Sequence, residues 1–70
     1  MNFGNFVKEI REELDMSQDA LARELYISHS TVNRWENGHS KPNMMAKKML
    51  YDYCKKRNLK KLLLEQILEF

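Results

Sequence analysis

Between Ser17 and Gly38 the sequence reads as two short helices joined by a tight corner, the second with a polar, base-sized face. His29, Ser30, Asn33 and Arg34 fall at spacings that a 3.6-residue turn gathers on one solvent side, with Ser28 at its start. Each can do hydrogen-bond chemistry at the edge of a base. Arg34 presents a fork that matches guanine O6 and N7, and Asn33 can read adenine where it points at the bases. His29 can donate or accept, and Ser30 fits either role. A helix of this kind, delivered by such a corner, enters the major groove of DNA. The plainer reading of the same residues is an exposed polar helix face.

Gln18 opens the first of the two helices. There its amide and the free backbone N–H groups can grip a phosphate; otherwise it is an ordinary helix-start residue. Other chemistries find little. His29, His39 and Cys54 are the only soft metal ligands and lack any zinc spacing. No nucleophile–base pair or paired carboxylates can be picked out, so no enzyme and no cofactor is expected. Met44, Met45 and Met49 read as gap-filling core. Trp35 reads as packed over the following helix or loop.

Seventy residues make one domain. Such a domain buries only about 60% of its unfolded surface, so helical packing or dimerisation must support it. One cysteine, no apolar run of membrane-spanning length and no signal-peptide pattern point to the cytoplasm. The net charge is only +2, but it is unevenly spread. Residues 1–25 carry three bases against six acids, and residues 26–61 carry nine against two. The basic middle is where a polyanion would dock, unless it is simply a solvated surface.

The chain has two glycines, one proline and no alternating strand pattern, so it reads as all-α. Phe3, Phe6, Val7, Ile10 and Leu14 form one apolar stripe, broken at Asp15-Met16. Ser17 caps a second helix, and Tyr26-Ile27 makes the corner. Ser28 caps a third helix that runs to about Glu36 and ends at Asn37-Gly38. Asn43 caps a fourth, with Met45, Met49, Leu50, Tyr53 and Cys54 facing inward. Leu59 to Phe70 reads as a fifth.

The stretch from Ile10 to Pro42 resembles the phage-repressor and Cro-like (XRE) helix-turn-helix family. The matching residues are Ile10-Arg11, Leu14, Met16-Ser17-Gln18 and Leu21-Ala22, then Ser28, Thr31-Val32, Arg34-Trp35-Glu36, Asn37-Gly38 and Lys41-Pro42. The resemblance implies a five-helix, lambda-repressor-like domain that binds double-stranded DNA, usually as a homodimer. It implies base contacts from Ser28, His29, Ser30, Asn33 and Arg34. It also implies backbone contacts from the loop of Asn37, His39, Ser40 and Lys41, and a structural pair between Arg11 and Glu36. The family commonly has glycine where Tyr26 stands, so a strained corner is expected there.

The fifth helix is apolar over more than one stripe. Leu59, Leu63, Ile67 and Phe70 share a face, and Leu64 and Leu68 lie away from Leu63. The surplus predicts a homodimer interface made by these six residues; the alternative is that one domain covers both faces. Lys55, Lys56, Arg57, Lys60 and Lys61 either touch phosphates or solvate the surface. The reading that emerges is a small transcriptional repressor on an inverted-repeat operator, with no small-molecule ligand evident. The alternative is a protein-interaction module of the same fold, antitoxin-like or an anti-host factor.

Overall fold

In a computed structural model, which describes residues 2–70, the chain forms α1 (Phe3–Leu14), α2 (Gln18–Glu24), α3 (His29–Glu36), α4 (Met44–Lys56) and α5 (Lys61–Glu69). Four of these helices start the same way. The side chains of Asn2, Ser17, Ser28 and Asn43 accept from the backbone N–H three residues on, satisfying a donor that the helix itself cannot. Only α5 starts without a side-chain cap.

The first four helices also end alike. Asp15, Tyr26, Gly38 and Asn58 all have positive φ. After the first, second and fourth of these, the next N–H closes back: Met16 to Arg11 O, Ile27 to Ala22 O and Leu59 to Cys54 O, while His39 closes to Arg34 O after Gly38. The helix-ending closure usual for glycine is thus made three times by residues with a Cβ. At Tyr26 (φ 57°) the side chain is 87% exposed and gains little packing in return. Left-handed backbone costs such a residue about 1–2 kcal/mol, against about 0.5–1 kcal/mol for glycine's extra unfolded freedom. Tyr26→Gly is therefore expected to raise stability by about 0.5–1 kcal/mol, readable as a higher urea midpoint with unchanged slope.

The core gathers Phe6, Val7 and Ile10 of α1 with Leu21, Leu25, Val32, Trp35, Leu50, Cys54 and Ile67. Phe3 packs edge-on to Trp35 and to Phe70, each with centroids 5.3 Å apart, and Phe70 also lies 5.1 Å from Phe6. The C-terminal aromatic thereby fastens α5 across α1.

Close approach of α1 to the end of α3 depends on Gly4. A Cβ there would meet the Trp35 carbonyl oxygen at 2.5 Å and that of Glu36 at 2.9 Å. Both are backbone atoms, so the helices must part. Gly4→Ala is expected to cost about 1–3 kcal/mol in chemical denaturation.

Several expectations need correction. Leu64 and Ile67, assigned to a dimer interface, are buried in the protomer's own core. Leu59, Leu63 and Phe70 are half-buried and packed against that core. Of the six, only Leu68 is exposed, while Leu62, which was not among them, is 75% exposed. The helix starts at Lys61 rather than Leu59, because Asn58 turns the chain first. It fits between α4 and the aromatic side of α1, and so buries a wide arc. Met44 and Met45 are exposed, not core. They sit in the first turn of α4, next to its cap Asn43; Met49, one turn on from Met45, is half-buried.

Candidate nucleic-acid interface

Glu36 organises the interface. It ends α3, and its side chain is almost completely buried, with 1% exposure. Arg11 reaches it from α1 through both arms of its fork: Nε donates to Oε2 at 2.6 Å and Nη2 to Oε1 at 2.8 Å. Arg11 Nη1 donates to the Met16 carbonyl at 3.0 Å and so also holds the corner between α1 and α2. Gln18 Nε2 donates to Glu36 Oε1 at 3.0 Å from the start of α2. Three helices therefore meet on one carboxylate. Burial pushes the Glu36 carboxyl up. Hydrogen bonds from Arg11 and Gln18, with the charges of Arg11 and Lys8, outweigh that and hold it below its ordinary value. The hydrogen bond to Glu36 likewise raises Arg11, against the opposing effect of burial.

The network continues outward. Asn33 Nδ2 donates to Gln18 Oε1 at 3.3 Å, and Asn37 Nδ2 donates to Asn33 Oδ1 at 3.0 Å. Gln18 thus has both ends of its amide engaged inside the protein. Its side chain braces α2 against α3, and one Nε2 hydrogen is left for the phosphate grip the sequence suggested. Asn33 likewise has one bond at each end of its amide, so reading adenine must use what capacity remains.

Ser28, His29, Ser30, Asn33 and Arg34 are all exposed. Ser28 Oγ and Thr31 Oγ1 are 2.9 Å apart, and His29 Nδ1 lies 2.6 Å from Asp19 Oδ1 on α2. Asn37, His39 and Lys41 are exposed after α3, and Ser40 is half-buried. Among the described residues no carboxylate lies within ion-pair distance of Arg34 or Lys41. A cavity of about 550 Å³ separates the α2–α3 corner from the start of α4. Tyr26, Ile27, Met45 and Met49 line it beside Arg34 and Lys41.

Nothing in the sequence pointed to Asp19, ten residues from His29 and on another helix. Tyr53, expected only to face inward, also donates its hydroxyl to Met16 Sδ at 3.4 Å and accepts from Arg57 Nη1 at 2.7 Å. Burial pushes the Cys54 thiol up to about 12, which keeps it protonated and inert. Among the described residues no group of three His, Cys, Asp or Glu is placed to hold a metal, and no helix is long and apolar enough to cross a membrane.

A helix-turn-helix family model matches residues 7–46. The chain belongs to the XRE-type helix-turn-helix family. The match covers the Arg11–Glu36 pair, both helices of the motif and Lys41, and leaves α5 outside. This helix-turn-helix chain is similar to the HTH-type transcriptional activator BcrR of Enterococcus faecalis, 32% identical over 50 residues. That stretch is 71% of this chain and 24% of the relative. It is also similar to Antitoxin HigA-2 of Vibrio cholerae serotype O1, 41% identical over 44 residues, 63% of this chain and 42% of that protein. The chain thus spans less than half the length of either relative. No solved structure gives a significant match.

Proposed function

We propose that this chain is a cytoplasmic, sequence-specific DNA-binding transcriptional regulator, with α3 in the major groove. One observation carries the reading. The outward face of α3 is polar and exposed, its arginine has no carboxylate partner among the described residues, and it is braced against α1 and α2 through Glu36. That is a braced donor–acceptor surface whose arginine fork and remaining amide, imidazole and hydroxyl capacity face outward. Arg34, with Ser28, His29, Ser30 and the free capacity of Asn33, would contact base edges. Lys41, His39, Ser40 and Asn37 would hold the backbone. Repression is the simplest output, because occupancy alone blocks polymerase. We propose a homodimer on an inverted repeat, formed through exposed Leu68 and the part-exposed Leu59, Leu63 and Phe70 of the C-terminal region.

Selection of bound sequences from a random duplex pool tests this directly. A palindromic consensus is expected, and its absence would defeat the dimer reading. On the selected site, Arg34→Ala should cost about 1–3 kcal/mol and relax base preference at one position per half-site. Lys41→Ala should weaken all sequences alike and lower the salt slope by about 1. An unchanged base profile for Arg34→Ala would remove it from readout.

A second reading, a protein-interaction module, draws on the exposed Tyr26, Met44 and Met45 beside the α3–α4 cavity and on the likeness to an antitoxin. Binding through that apolar surface would depend little on salt. DNA binding falls steeply as salt rises.

A further inference from the structure

We infer that Asp19 is a positioning residue for base readout: it holds the His29 imidazole with its proton on Nδ1, so that Nε2 alone is offered to the groove. The inference rests on the reading of α3 as the recognition helix.

The observation is a side-chain bond between two helices. Asp19 lies in the first turn of α2 and His29 is the first residue of α3, with 2.6 Å between Oδ1 and Nδ1. An ionised carboxylate only accepts, so the proton in this bond sits on the imidazole. Neighbouring polar groups do not compete. Gln18 and Asn33 are joined to each other, and Ser28 to Thr31. Nε2 has no protein partner among the described residues, and the side chain is 53% exposed. Of the other charged groups nearby, Arg23 stands one turn beyond Asp19 on α2, and Arg34 lies beyond His29 on α3; both are exposed, and neither makes an ion pair among the described residues. Asp19 also complements the N-terminal dipole of α2, which favours its ionised form.

The consequence for recognition is chemical. In the neutral ring Nε2 can only accept. The major groove offers donors from adenine N6 and cytosine N4 alone, so the base opposite His29 is A or C. If the ring gains a proton, Nδ1 stays on Asp19 and Nε2 turns donor, which suits guanine N7 and O6 or thymine O4. Without Asp19, the neutral ring is free to carry its proton on Nε2, and the preference moves toward those acceptor bases.

Two measurements on the whole chain test this. Nitrogen-15 spectra of the free protein at about pH 8.5, above the ordinary imidazole range, report the tautomer directly. The Nδ1–H form is expected for His29 in the wild type, with a shift toward Nε2–H in Asp19→Ala. A wild-type ring mainly in the Nε2–H form overturns the inference whether or not DNA binds. The second measurement titrates wild type, Asp19→Ala and His29→Ala on the selected operator and its base variants at the same pH. At the position where His29→Ala loses discrimination, the wild type is expected to favour A or C over G by about five- to tenfold. Asp19→Ala should cut that ratio to about twofold or less. An Asp19→Ala profile identical to wild type overturns the inference and leaves DNA binding standing. Unchanged discrimination everywhere in His29→Ala overturns it too, by removing His29 from the bases. A wild type with no sequence preference at all defeats the reading of α3 itself.

Discussion

Replacing Glu36 with alanine is expected to cost about 3 kcal/mol, which removes most of the domain's stability. Arg11 would lose both bonds of its fork, and Gln18 its acceptor, in a place where water reaches poorly. Removing one partner of a buried pair leaves an uncompensated charge, which costs far more than the pair contributes as a whole. A domain of this size has only about 3–5 kcal/mol to lose. Urea unfolding followed by circular dichroism checks the effect. Glu36→Gln keeps the shape but loses the charge and one of the two acceptor oxygens, so a loss smaller than that of the alanine variant is expected. The same carboxylate makes the fold acid-sensitive. Its folded pKa lies below the unfolded value, so its contribution is complete above the ordinary carboxylate range. That contribution is lost as pH falls through the folded value. Glu36→Gln should flatten this acid dependence. A wild type equally stable at pH 3 and pH 7 would show that the pair contributes nothing.

Ile67→Glu is expected to be the most damaging change in α5, costing several kcal/mol. Ile67 is fully buried, and a carboxylate in its place has no partner to offset desolvation. Leu64→Glu should behave similarly, since Leu64 is 8% exposed. Leu68→Glu, at 59% exposure, should change stability by no more than about 0.5 kcal/mol. It should still weaken self-association if the proposed dimer forms there, and sedimentation of this folded variant separates the two roles. An Ile67→Glu protein that stays folded and becomes monomeric would restore the interface that the sequence suggested.

Much of the architecture was legible in order. The apolar stripe of α1, the Ser17, Ser28 and Asn43 caps and the stop at Asn37-Gly38 are local signals, set by the backbone's own unmet hydrogen bonds. The polar face of α3 was legible for the same reason, because one helix's periodicity decides which side chains share a side. The odd corner at Tyr26 was anticipated through the resemblance, since the family commonly has glycine there.

What the chain alone could not decide was which apolar and polar groups find each other. Leucine-rich α5 shows its composition but not the width of the groove that receives it. That width is set by α4 and by Phe3 and Phe6, so Leu64 and Ile67 became core instead of interface. Gln18 carries the same amide whether it faces a phosphate or Glu36, and only the packing of α2 on α3 brings that carboxylate within its reach. His29 looked free to donate or accept until Asp19 met it from α2. The sequence by itself determined the helices, most of their ends and the polar face of α3. The tertiary structure decided which of those polar groups remain unspent, because a hydrogen bond between helices depends on a distance that no spacing along the chain records.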